Sequence, residues 1–307
     1  MIGKSSVKAC LAGGLVAVLL TVVAGCDRGR SAREAEAVAA YPAIGEHSWT
    51  TADGNSVPYV VGGRRDADVT VVFVHCWMCD RSFWDAQVPA LAAEYRTVTL
   101  DLPGHGEAGT VRDSWSVAGY GEDVAGLVNE LGLSDVVLVG HSMGGPVSLR
   151  AAALLPGKVL GVVAAETLHD ADFKFEGEQI KNFMKAWEGD FVETCERFVN
   201  AMFVEEDVDE IKTHVLTAAC VPSRRDVGMA LMRSFGAIDM PAWFREAGVP
   251  IRAINAAMPN PTNVEANRKY ADFDVVLMDD VGHYLHMTRP DEFNALLIEA
   301  VADIVSH

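Results

Sequence analysis

The chain has 307 residues, half of them hydrophobic, with 43 acidic against 25 basic side chains and a formal net charge of −18. That much apolar material supplies a large core, and the length suits two domains or one larger α/β domain. So acidic a chain repels phosphate backbones and anionic headgroups, which argues against electrostatic binding of nucleic acid or lipid surfaces. In chain order, the first pattern is Lys4 and Lys8, the only charges before residue 26, followed by an apolar run from Ala9 to Ala24. A charged start, an apolar middle and the small residues of Val23-Ala24-Gly25 make a secretory signal rather than a membrane span.

Cys26 directly follows those small residues, and the segment resembles the lipobox of bacterial lipoproteins. The resemblance implies a signal peptide over residues 1–25 and lipidation at Cys26. It also implies a place in the bacterial cell envelope, anchored to a membrane on its periplasmic or extracytoplasmic face. Several acyl chains anchor stably, because each buried methylene contributes about 0.8 kcal/mol. Residues 26–45 are polar and Ala/Glu-rich and read as a tether. Export would place Cys76, Cys79, Cys195 and Cys220 in an oxidising compartment, where they can pair. A Cys195–Cys220 bridge is favoured; Cys76-Trp77-Met78-Cys79 has redox-motif spacing but lies at a strand end, and free thiols remain open there. No second Cys/His pair at zinc spacing accompanies it, so a metal is not expected.

A first core segment, 46–171, opens with a β-hairpin: His47–Thr51, a turn at Asp53-Gly54-Asn55, then Val57–Val61. Val69–Val74 is a continuous apolar strand of the kind buried on both faces. A helix over Ser82–Ala93 follows, then a strand Arg96–Leu100 ending in Asp101-Leu102-Pro103-Gly104-His105-Gly106, and a helix near Ser116–Leu131. Val136–Val139 leads into Gly140-His141-Ser142-Met143-Gly144, an Ala-rich helix and the strand Val159–Ala165. Strands and helices alternating at this spacing predict a doubly wound, mostly parallel sheet. Over 172–247 aromatic and Met residues recur at helical spacings without a strand, which predicts an inserted helical cap. A second core segment, 248–307, supplies Pro250–Ile254, a helix near Val264–Tyr270, Phe273–Met278 and a final helix Asp291–Val305.

The chemistry centres on G-x-S-x-G between a buried strand and a helix. A sharp turn there lifts the Ser142 hydroxyl clear of the sheet, and glycines at 140 and 144 remove side chains that would collide with neighbouring elements. A serine needs a base, and the base needs a third group to orient it. His283, between the last strand and the last helix, is the best-placed base; His286 lies three residues on, and His105 and His141 suit binding or packing.

From Trp49 onward the chain resembles the α/β-hydrolase family. The matching pieces are the strand ending in His75, the Asp101–Gly106 loop, the G-x-S-x-G turn and Gly282-His283. The resemblance implies a serine hydrolase with a helical cap and an oxyanion hole from the backbone amides of Met143 and Trp77. Such families usually carry His-Gly where this chain has His75-Cys76. The acid also departs from the common pattern: the loop after the seventh strand reaches no carboxylate before Glu265 and offers only Asn263. Glu166, after the sixth strand, is the better candidate, with Asp170 behind it, as in a branch that includes some haloalkane dehalogenases. Serine at the turn disfavours dehalogenase and epoxide-hydrolase chemistry, which use aspartate. It suits hydrolysis of a carboxylic ester, lactone or thioester through an acyl-serine; perhydrolase or carbon–carbon bond hydrolysis could use the same parts. No metal or organic cofactor is needed. The competing reading is a non-enzymatic or very slow small-molecule binding protein on the same fold.

Overall fold

The computed structural model describes residues 43–205 and 207–307; the expected signal peptide, Cys26 and most of the expected tether lie outside them. Eight strands form one sheet: β1 (Gly45–Thr50), β2 (Ser56–Gly63), β3 (Thr70–Val74), β4 (Arg96–Leu100), β5 (Val136–His141), β6 (Val159–Ala165), β7 (Ile251–Ala256) and β8 (Phe273–Met278). Their order is β1-β2-β4-β3-β5-β6-β7-β8. β1 and β2 form an antiparallel edge, and every pairing from β4 to β8 is parallel. β3 and β5 are buried along their whole length, which explains their unbroken apolar composition. After β3 the chain steps to β4 on one side, then returns across β3 to β5 on the other. That reversal creates a crevice at the carboxyl ends of β3 and β5, where open α/β sheets bind ligands.

Eleven α-helices are assigned among the described residues. α1 (Val88–Leu91), α2 (Val117–Glu130) and α3 (Gly144–Leu154) belong to the first half of the core. α4 (Glu178–Ala186), α5 (Phe191–Asn200), α6 (Asp209–Ala219), α7 (Arg225–Phe235) and α8 (Met240–Ala247) all lie between β6 and β7. α9 (Val264–Arg268), α10 (Leu285–Thr288) and α11 (Pro290–Ser306) complete the chain. Disulfides join Cys195 to Cys220 and Cys76 to Cys79. The first bridge ties α5 to the residue after α6.

The helix expected over Ser82–Ala93 is instead a 3-10 turn, Arg81–Trp84, followed by the short α1. Asp80 caps the turn by accepting a hydrogen bond from Ser82 N at 2.9 Å. Pro89 has no N–H to donate and fits only a first helical turn, so a helix must begin just before it rather than run through it. α2 starts as its sequence suggests, with the Ser116 hydroxyl accepting from Gly119 N at 3.0 Å.

The core beneath one face packs Val71, Phe73, Val137 and Val139 of the central strands against Phe293, Leu297 and Val301 of α11. Each such side chain contributes roughly 1.5–3 kcal/mol by leaving water. At the G-x-S-x-G turn the packing tolerates no side chain on the glycines. A Cβ on Gly140 would strike the Gly144 carbonyl, and one on Gly144 would strike the Val74 carbonyl at the end of β3. These are backbone atoms and cannot rotate away. Gly144→Ala should therefore lower stability in urea denaturation by about 1–3 kcal/mol. Gly189→Ala, where nothing lies within 4 Å, should change it by less than about 0.5 kcal/mol.

Candidate active site

Ser142 sits between the end of β5 and the start of α3 with φ at +52°, a left-handed conformation that typically costs a non-glycine residue about 1–3 kcal/mol. Neighbouring groups hold it there. Its N–H donates to Ala165 O at 3.1 Å, and its carbonyl accepts from Gly145 N at 3.0 Å and from the Thr167 hydroxyl at 2.8 Å. The strain is thus sustained by the strand beside it and by the first turn of its own helix.

Ser142, Met143, Glu166 and His283 all line one cavity of about 810 Å³. Glu166 is the first residue beyond β6 and is 5 % exposed. One carboxylate oxygen, Oε2, accepts from Ala256 N at 2.6 Å. The other, Oε1, lies 3.8 Å from His283 Nδ1 and 3.5 Å from His169 Nε2. Burial opposes its charge, but the facing imidazoles of His169 and His283 outweigh that and bring its pKa down to about 2. A carboxylate held ionised against an imidazole is able to orient the ring and to stabilise its protonated form.

The His283 loop is anchored from both ends. Its N–H donates to Met202 O at 2.8 Å, and its carbonyl accepts from the buried His141 Nε2 at 2.8 Å. Gly282 is required there because a Cβ would meet Met202 O at 2.5 Å. Burial, then repulsion from His286 and His283, keeps His141 far below the usual imidazole pKa, so it packs as a neutral ring.

Among the described residues, neither the Met143 nor the Trp77 backbone N–H donates to another protein group. Met143 follows Ser142 directly. Trp77 lies in the loop after β3, beside β5, but does not itself line the cavity.

The alternatives have other partners. His286 is fully buried between the rings of Trp84 and His141, at 4.7 and 4.4 Å, and is absent from the cavity wall. Asp170 accepts from Asn263 Nδ2 at 3.1 Å, while the Asn263 side chain caps α9. His169 was not visible as a site residue in the sequence; its position three residues after Glu166 was the only local signal. A second cleft of about 690 Å³, lined by Asp80, Arg81, Asp101 and Glu107, contains neither Ser142 nor His283. Its buried Asp101 already accepts from the Arg81 and Glu107 amides and pairs with the Arg81 guanidinium.

The architecture recurs in known proteins. A hydrolase from Pseudomonas aeruginosa PA01 superposes with a TM-score of 0.72 at 21 % identity, over 85 % of this chain and 99 % of that one, a likeness of fold. A pimeloyl-[acyl-carrier protein] methyl ester esterase of Methylococcus capsulatus is 26 % identical over 244 residues, covering 76 % of this chain and 94 % of that protein. A dihydrolipoyllysine-residue acetyltransferase component of the acetoin cleaving system of Pseudomonas putida is 36 % identical over 136 residues, 41 % of this chain. The match spans only 36 % of that relative's own length. The model of the alpha/beta hydrolase family matches residues 71–296, and with the strand order and the serine turn above it, the chain belongs to that family.

Proposed function

We propose that the protein is a serine hydrolase that cleaves a carboxylic ester, lactone or thioester through an acyl-serine intermediate, with the ester as the class its relatives' names support. The observation that carries this reading is the convergence of Ser142, His283 and a buried, ionised Glu166 on one cavity. In the proposed cycle the Ser142 hydroxyl attacks the substrate carbonyl carbon while His283 takes its proton. Glu166 orients the imidazole and stabilises its charged form. The developing oxyanion takes hydrogen bonds from the backbone N–H groups of Met143 and Trp77, each such donor being worth about 10²–10³ in rate. His283 then returns the proton to the leaving alcohol. A water molecule, deprotonated by the same ring, attacks the acyl-serine, releasing the acid and restoring the hydroxyl. Relatives named as esterases support the same class.

The wall of the cavity indicates what kind of acyl group it takes. Phe173, Phe183, Phe203, Met232, Phe235 and Met240 contribute to it, and among the described residues its lining includes no lysine or arginine. Lys212 approaches the Phe203 ring, 5.9 Å from its centroid, but is not itself part of the lining. A carboxylate on the acyl chain would enter a space that already holds Glu166 and Asp170, with no lysine or arginine among the described residues of the lining to pair with and with His169 and His283 already facing Glu166. The preferred substrate is therefore a neutral, apolar acyl ester. We further propose that lipidation at Cys26 holds the enzyme at a membrane of the bacterial envelope, with the helices between β6 and β7 serving as a cap. Palmitate labelling that persists in Cys26→Ser would remove the lipid anchor from this picture.

Ser142→Ala should lose all measurable turnover of p-nitrophenyl hexanoate and all fluorophosphonate labelling while keeping its circular dichroism spectrum. Glu166→Gln should cost at least ~100-fold in kcat, and Asn263→Ala far less; the opposite ranking would transfer the acid role to the loop after β7. In a pH-stat assay, methyl hexanoate and dimethyl adipate should react at similar rates. Monomethyl adipate, equal in length but charged, should be at least ~100-fold slower in kcat/KM, as an uncompensated buried charge requires. Comparable rates for all three esters would contradict a cavity selective for neutral acyl groups.

A further inference from the structure

The loop that carries Trp77 has His75-Cys76 where the family resemblance leads to His-Gly. Cys76 and Cys79 are bridged, with both side chains nearly inaccessible at 2 % and 0 % exposure. The bridge closes a turn that Cys79 N already spans by donating to Cys76 O at 3.3 Å. Inside it, Met78 is held at φ +58°, left-handed and fully buried. Without glycine, such a backbone persists only where its surroundings over-determine it. His75 braces the other side: Leu102 N donates to its Nε2 at 2.9 Å, which leaves Nδ1 as the donor to Cys76 O, also at 2.9 Å. Beyond the turn, the Trp77 indole N–H donates to Gly228 O of α7 at 2.9 Å, and its ring packs edge-on against Trp187 and Phe198. The side chain of Trp77 is thus tied to the inserted helices, and among the described residues its backbone amide has no partner.

We infer that the Cys76–Cys79 disulfide is a positioning element for the reaction: it holds the Trp77 N–H at the angle needed to meet the substrate oxyanion. This rests on the proposed serine-hydrolase reading. A glycine after His75 would give the loop backbone freedom; here a covalent staple closes the turn across ordinary side chains. With the staple removed, Met78 is free to leave the left-handed region, and the peptide between Cys76 and Trp77 rotates with it. The amide then meets the oxyanion poorly, while the apolar cavity that binds the acyl chain is unchanged. The cost therefore falls on the transition state and not on ground-state binding.

The test compares the parent with Cys76→Ser/Cys79→Ser and, as a matched control, Cys195→Ser/Cys220→Ser, whose bridge lies among the inserted helices. Fluorophosphonate labelling of Ser142 in the parent comes first, and its absence would sink the serine-hydrolase reading and this inference with it. With labelling present, the 76/79 double variant should lose about 10- to 100-fold in kcat on p-nitrophenyl hexanoate, part of what one oxyanion donor supplies. Its KM should stay within about twofold, and its affinity for phenylboronic acid, which mimics the tetrahedral intermediate, should fall in step with kcat. The 195/220 control should leave the ratio of boronate affinity to substrate KM unchanged. Unchanged kcat and boronate affinity, or a loss confined to KM, would overturn the positioning role while leaving the nucleophile in place. Alkylation of the active parent after transfer into denaturant, followed by mass spectrometry, supplies an independent check that does not depend on the variant folding. Cys76 and Cys79 should resist alkylation until reduced, and free thiols at both positions in fully active enzyme would also overturn the inference.

Discussion

The geometry of the site depends on the pairing of β5 with β6. In that register His141 lies opposite Ala165, so the residues that follow them, Ser142 and Glu166, leave the sheet side by side. Both take left-handed backbone conformations, at φ +52° and +47°. Each is held there by a bond to the next strand across: Ser142 N to Ala165 O, and Glu166 N to Ile254 O. Two adjacent parallel strands thus each end in a strained residue whose backbone amide is pinned by its neighbour, and the spacing of the two functional groups follows from the hydrogen-bond ladder. A slip of one residue would turn the last side chain of either strand to the opposite face.

Charge at the site is concentrated by the same packing. His141 and His286 are buried, and burial keeps both uncharged, helped by repulsion from His286 and His283 at His141 and from His283 at His286, whose pKa falls to about 3. They form a neutral layer beneath His283, whose carbonyl His141 holds. The ionised partner of the His283 ring is then Glu166, itself shared with His169. A carboxylate serving two imidazoles resists protonation more strongly than one serving a single ring, which is why it stays charged where burial alone would neutralise it.

The helices between β6 and β7 take part in this arrangement and do more than cover it. Met202 O receives the His283 amide, Phe203 stacks on Tyr284 at 5.0 Å, and Gly228 O receives the Trp77 indole. One inserted segment therefore touches both the loop that carries the proposed base and the loop that carries a proposed oxyanion donor. Movement of these helices would be felt at both loops together, which links their packing to the proposed chemistry more closely than a passive cover would.

Much of this was legible in the residues alone. The unbroken apolar runs of β3 and β5 and the Ser116 cap answer to local composition or hydrogen bonding, and the G-x-S-x-G spacing between a strand and a helix marks its own turn, so the parallel sheet, the serine turn and the inserted helical stretch could be read without coordinates. Pro89 carried the signal that broke the helix expected over 82–93, since a proline late in a helical pattern marks a new start. Other features belong to groups far apart in the chain, and no local pattern encodes their meeting. Glu166 faces His283 because of strand register, His169 joins them because the loop after β6 folds back on its own first residue, and Met202 reaches His283 only once the inserted helices have packed. Sequence determined which elements form and which side chains are chemically able to act; tertiary packing decided which of those side chains share a cavity, because distances between strand ends are set by the whole sheet and not by any one segment of it.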